Sequence, residues 1–162
     1  MGSLTIIQGD SEPTVTADEV AAVIRATRVA NVRLDEVHAG PLALDGGDLV
    51  FGVQAEHPKF AYIEEARQIL VRIEHGVRVS AAESTERATE ITVAHVISFD
   101  LADDLEARPA ALAAWVESNV YFLAYPYVRE TLTSLTSRMG LPPLILDYLS
   151  RDERPFRPAA DD

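Results

Sequence analysis

Residues Tyr121 to Leu149 read YFLAYPYVRETLTSLTSRMGLPPLILDYL, and the conformation of this stretch decides the fold. It reads as an amphipathic helix with a proline inside it, then a Gly-Leu-Pro-Pro break and a second, short apolar segment. A proline inside a helix lacks the N–H that the ladder uses and crowds the preceding turn, at a cost of about 3 kcal/mol. Pro126 therefore implies a kink or a helix start. Tyr121, Phe122, Tyr125 and Tyr127 crowd around it, four of the eleven Phe, Tyr and Trp residues of the chain. Aromatics this dense build either ordinary core or an interface.

Working outward, the helix begins at Pro109, where a missing N–H is harmless because the first helical N–H groups have no partner anyway. Leu112, Trp115, Val116, Asn119, Phe122 and Leu123 follow at spacings of three and four, and Leu132, Leu135 and Met139 continue the stripe beyond Pro126. Gly140 is a natural stop, and Pro142 and Pro143 prevent continuation. A helix of about thirty residues spans about 45 Å, more than a small sheet covers. Part of it is expected to overhang and meet a second copy.

The sheet that this helix covers is written in alternation. Ile69, Val71, Ile73, Val77 and Val79 alternate with Leu70, Arg72, Glu74, Arg78 and Ser80; Ile91, Val93, Ile97 and Phe99 alternate with Thr92, Ala94, Val96 and Ser98. Each pattern gives a strand with one dry and one wet face, and the polar stretch 81–88 between them predicts an antiparallel hairpin. Further upstream, Thr16 and Glu19 form a T-x-x-E capping box for a short helix from Ala17 to about Arg28. A strand from Val29 to Gly40-Pro41 follows, then an Asp45-Gly46-Gly47-Asp48 turn and a strand from Leu49 to Glu56 with Leu49, Phe51, Val53 and Ala55 on one side. The stretch after His57-Pro58 up to Glu65 carries no clear period. The expectation is an α+β fold: a four-stranded antiparallel sheet with a long kinked helix and a short C-terminal helix packed on it, plus a short N-terminal helix. Residues 15–150 form the single domain, between a flexible N-terminus (1–14) and a flexible tail (151–162).

At 162 residues and 48% apolar composition the chain can bury a real core. It has no cysteine, which removes disulfides and thiolate chemistry and fits a reducing compartment. The first residues lack a basic region followed by an apolar core, and no apolar run approaches the roughly 20 residues of a membrane span. A soluble cytoplasmic protein without membrane insertion is expected. The net charge of −12, with Lys59 the one lysine, disfavours nucleic acid as a partner. Acidity concentrates between Glu83 and Glu106, either a solvated surface or a docking face for a basic partner.

Catalysis finds no footing. There is no nucleophile elbow, no phosphate-binding glycine loop and no carboxylate pair placed to share work, so no catalytic residues, no cofactor and no metal are expected. His75 and His95 both fall in the apolar phase of their strands. Two ligands do not make a zinc site, and no third shares their phase; they read as buried neutral histidines, with a pH-sensitive contact or a metal as alternatives.

The sequence Tyr125-Pro126-Tyr127-Val128-Arg129-Glu130, then Ser137-Arg138 and Leu141-Pro142-Pro143-Leu144-Ile145-Leu146, resembles the SecB family of export chaperones. That family carries an aromatic-Pro-Tyr-x-Arg-Glu hexad, a nearby Arg and a Pro-x-Leu-x-Leu connector. The resemblance is strongest to the SecB-like chaperones associated with toxin–antitoxin systems, whose connector also reads Leu-Pro-Pro-Leu-x-Leu. It covers about thirty residues; elsewhere the likeness lies only in the order of elements.

The resemblance implies a homotetramer, a dimer of dimers, and an ATP-independent holdase that keeps unfolded clients apart and hands them on. The partner would be the SecA translocase motor in protein export, or a dedicated antitoxin. The Tyr in place of Phe before Pro126, and the short stretch after Leu-Asp-Tyr-Leu, both point to the antitoxin branch. A holdase needs exposed apolar surface that accepts many sequences. The candidate client groove is lined by Tyr125, Tyr127, Leu141, Leu144, Leu146 and Tyr148. Trp115, Phe122, Pro126, Arg129 and Glu130 are expected in helix packing or oligomer contacts. The rival reading is a non-chaperone adaptor with the same fold that binds one specific folded partner.

Overall fold

Strict alternation produces the sheet's centre. From Gln68 to Ala81 buried and less buried side chains alternate almost without a break, with Ile69, Val71, Ile73, His75, Val77 and Val79 turned inward. The structure, a computed structural model, describes residues 5–6, 14–41, 47–102, 105–106 and 108–149, with backbone alone at 5–6 and 84–87. Its elements run β1 (Thr5–Ile6), α1 (Ala17–Ala26), β2 (Thr27–Ala39), β3 (Leu49–Ala55), β4 (Lys59–Ile63), β5 (Gln68–Ala81), β6 (Ser84–Leu101), α2 (Pro109–Trp115), a wide turn Val116–Val120 and α3 (Tyr121–Arg138). The sheet order is β1-β4-β5-β6-β2, with β3 also paired to β5. The β1–β4, β4–β5 and β3–β5 ladders are antiparallel, and a two-residue turn at Ala82–Glu83 joins β5 to β6. The α+β class, the antiparallel sheet, the long helix and the short N-terminal helix are as expected.

Two details differ. The sheet has six strands among the described residues, not four. Lys59–Ile63, left unassigned from sequence, forms β4 because Glu64–Arg67 closes a tight turn that returns the chain as β5. Arg67 there holds a left-handed φ of 50°, its N–H bonding Glu64 O at 3.1 Å. Within the N-terminal stretch expected to be loose, Thr5 and Ile6 pair with Tyr62 and Ala61 of β4; residues 1–4 and 7–13 lie outside the described residues. The expected short C-terminal helix is not present at 141–149, which follow Gly140 (φ 77°) as neither helix nor strand. Pro142 and Pro143 offer no N–H to a helical ladder. The tail 151–162 lies outside the described residues.

The chain's contacts divide into two compact units. In one, made of Met1–Arg33, Pro58–Arg72 and Val96–Ala124, the capping box is present as read: the Glu19 N–H donates to Thr16 Oγ1 at 3.3 Å and the Thr16 N–H to Glu19 Oε2 at 2.9 Å. Glu19 also takes both an ion pair (2.6 Å) and a hydrogen bond (2.7 Å) from Arg108, the residue before α2. The Thr16 backbone N–H, then Arg108, hold its carboxyl below the usual carboxylate range. Trp115 is buried edge-on against Phe99 of β6, centroids 4.7 Å apart. Pro109 opens α2, and in the following wide turn the Tyr121 N–H reaches back five residues to Val116 O.

The other unit, Leu34–His57, Ile73–His95 and Tyr125–Asp162, has a single apolar cluster. Val77, Val79, Ile91 and Val93 come from the sheet, Val128 and Leu132 from α3, and Leu141 and Leu146 from the connector. α3 passes through Pro126 and continues to Arg138.

β2 and β6 depart from the pattern of one dry and one wet face. β2 is exposed along nearly its whole length, Leu34 and Val37 included, as befits the last strand of the sheet order. In β6, Ala94 and Val96, expected on the wet face, are buried; this strand lies between β5 and β2, with neighbours on both sides.

Candidate client-binding connector

The connector from Leu141 to Leu149 is seated on α3 by side chains. The Tyr125 hydroxyl donates to Asp147 O at 2.6 Å, and the Arg129 guanidinium lies over the Tyr148 ring, 5.4 Å from its centre. Thr133 Oγ1 lies 2.7 Å from Leu144 O and 2.8 Å from Arg129 O one turn back. Thr136 Oγ1 donates to Leu132 O at 2.8 Å and accepts the Leu144 N–H at 2.9 Å. Positions 125, 129, 133 and 136 recur at helical spacing, so they share one face of α3. The hexad thus reaches the far end of the connector, at Asp147 and Tyr148, through Tyr125 and Arg129.

This seating sorts the candidate groove residues into two sets. Leu141 and Leu146 are buried at 5% and 8% exposure, and Tyr125 and Leu144 are half-buried against the same cluster. Leu141 and Leu146 therefore belong to the unit's own core with Val128 and Leu132, and Tyr125 and Leu144 pack against it. Tyr127 and Tyr148 remain outside, at 48% and 89%, and are joined by Ile145 at 63%. Ile145 was missed by sequence reading. The signal was there: in an extended Leu-Ile-Leu run, inward neighbours force the middle residue out.

Among the residues expected in helix packing or oligomer contacts, Trp115 is buried against Phe99 and packs helix on sheet. Phe122 is half-buried; Pro126 and Glu130 are exposed on α3; Arg129 is half-buried at Tyr148.

His75 and His95 are both buried on the sheet's inner face, at 1% and 3% exposure. His95 Nε2 lies 3.1 Å from Thr131 Oγ1 on α3. Burial pushes His75 down to about 4, the nearby His95 adds to the fall, and Glu74 opposes it. Burial likewise lowers His95, against the pull of Glu130. Among the described residues no three His, Asp or Glu side chains are grouped to hold a metal ion, and no helix is long and apolar enough to cross a membrane.

The fold matches that of the Mycobacterium tuberculosis SecB-like chaperone Rv1957, solved in complex with a ChAD peptide from the HigA1 antitoxin. The TM-score is 0.72 at 23% identity, covering 84% of this chain and 99% of that one. The fold is SecB-like. In sequence, the chain is 45% identical over 49 residues to the SecB-like chaperone Rv1957 of M. tuberculosis strain H37Rv, and equally to its counterpart MT2006 in strain CDC 1551. That match takes in 30% of this chain and about a quarter, 26%, of each relative. No family model matches. The resemblance to SecB-like chaperones associated with antitoxins, first read from the hexad and connector, holds in sequence and in fold.

Proposed function

We propose that this chain is an ATP-independent holdase without catalytic chemistry, and that its client is the aggregation-prone extension of a dedicated antitoxin. The observation that carries this reading is the exposure of Ile145 and Tyr148 on a connector held on α3, with Tyr127 also exposed on α3, in a fold shared with a chaperone solved with an antitoxin peptide. Large apolar side chains grouped at a surface mark sites of association. Flat aromatic groups suit clients of varied sequence, because they gain contact area without demanding one shape. Binding the unfolded client in preference to its folded form then holds it open by mass action. The protein acts in this reading as a cytoplasmic homotetramer, a dimer of dimers.

The test is client breadth. Unfolded test proteins, and an antitoxin carrying an aggregation-prone extension, are diluted from denaturant with and without stoichiometric amounts of the chaperone, and light scattering is followed. Suppression of antitoxin aggregation at near-equal ratios supports the reading. Equal suppression for exported precursors, with binding to SecA, moves the assignment to export. No suppression of any client, with tight binding to one folded protein, establishes the adaptor instead.

A further inference from the structure

We infer that α3 is held on the sheet by an acid-released clasp: when His75 and His95, buried on neighbouring strands, take up protons, residues 127–138 of α3 lift and bare the apolar surface beneath. The inference goes beyond the holdase reading and does not depend on it. Both histidines and this part of α3 lie in the unit that contains Ile73–His95 and Tyr125–Asp162.

The closed joint has no place for a second N–H on His95. Its Nε2 lies 3.1 Å from Thr131 Oγ1, a hydroxyl that serves either neutral tautomer by donating or accepting. Its Nδ1 is buried with no hydrogen-bond partner among the described residues. The imidazolium would carry an N–H at both nitrogens, so Nδ1 would become a buried donor without an acceptor. A charge on His75 and one on His95 also oppose each other. The lid over the pair is apolar: Val128 and Leu132, on either side of Thr131 in α3, are both 0% exposed and pack with Val77, Val79, Ile91 and Val93 of the sheet. Charged rings therefore need water, and water enters when the lid lifts.

Charge on the surrounding elements does not relieve this. Glu74, beside His75 on β5, and Glu130, beside Thr131 on α3, both favour the charged rings, yet burial outweighs them. On β3, Ala55 pairs with His75, and the Glu56 and His57 that follow it are exposed; Asp35, Glu36 and His38 of β2 are exposed too.

Pro126 supplies the hinge. It has no N–H to give to Phe122 O, so the helical ladder is one bond short where residues 127–138 begin. A segment joined through a weakened turn opens at lower cost than the whole fold. In the closed joint His75 titrates at about 4, against 6.5 in water, so the open form binds protons more readily and gains population as pH falls through 6.5. From pH 7.5 to 5, His75 alone raises the open fraction about thirtyfold.

Amide exchange of residues 128–136, corrected for the intrinsic effect of pH, is measured at pH 7.5 and 5 with and without low urea. These amides should exchange through an opening that low urea does not accelerate, unlike the global opening that frees the centre of β5. That local opening should become about thirtyfold more frequent at pH 5. His75→Gln combined with His95→Gln removes both titrating rings and should hold the opening constant across this range. Thr131→Asp sets a carboxylate against His95 and should shrink the acid response severalfold, an effect that a purely structural threonine would not have. Should the variants fail to fold, the wild-type ring resonances decide: the His75 ring should titrate near 4. The inference is overturned if residues 128–136 exchange only with β5 and share its urea dependence, or if the opening is unchanged at pH 5. It is overturned equally if the double variant keeps the acid response, or if His75 titrates at 6.5 while α3 stays protected.

Discussion

Arg129 on α3 holds its guanidinium over the ring of Tyr148, 5.4 Å from the ring centre, although Tyr148 is otherwise 89% exposed. An exposed cation–π contact contributes about 0.5–1 kcal/mol. Tyr148→Ala should therefore lower global stability by no more than about 1 kcal/mol in urea unfolding, while the Arg129 side-chain resonances lose their ring-current shift. A larger loss of stability would show that Tyr148 has partners the contact does not explain.

Tyr127 and Ile145 stand apart from the core. Tyr127→Ser and Ile145→Ser should each change stability by less than about 0.5 kcal/mol, as is usual at surfaces. Both should raise the amount of chaperone needed to suppress client aggregation, and the double variant more so. Light scattering against chaperone ratio reads this directly.

Leu132 sits at 0% exposure between sheet and connector. Leu132→Ala should cost about 2–5 kcal/mol through lost burial and the cavity left behind. Chemical denaturation at neutral pH gives the value; a cost below about 1 kcal/mol would mean the cluster collapses freely around the gap.

His75 gives the fold a pH dependence with a definite sign. Its folded value is about 4 against 6.5 unfolded, so the unfolded chain binds the proton more readily. Its stabilising contribution is intact above about pH 6.5 and falls as pH drops toward 4, by roughly 3 kcal/mol in total. His95, lowered in the same sense by burial, adds to the fall. His75→Gln should flatten the stability profile across this window, measured by urea titrations from pH 7.5 to 4.

The features readable in sequence were those written locally. β5 carries a period of two over fourteen residues, Pro109 opens the helix, and Thr16 with Glu19 caps α1. The hexad and connector pointed to the fold family on thirty residues. What escaped depended on distant partners. β4 is five residues between Pro58 and two glutamates, too short to show a period, and becomes a strand because β5 pairs with it. The apolar 141–149 segment suggested a helix, and its irregular course follows from bonds to Thr133, Thr136 and Tyr125 that no local pattern announces. For the candidate groove, residue type was legible and direction was not: Leu141 and Leu146 turn inward while Ile145 turns out, because their orientation depends on what α3 and the sheet leave unfilled.

The final turns of α3 read TLTSLTSR, rich in threonine and serine, which are weak helix formers. Two of those threonines spend their hydroxyls on the segment beyond the helix, so neither piece is complete without the other. A chain cut after Gly140 should lose helicity upstream of the cut, and α3 should fray backward toward Arg129 until residues 141–149 are supplied.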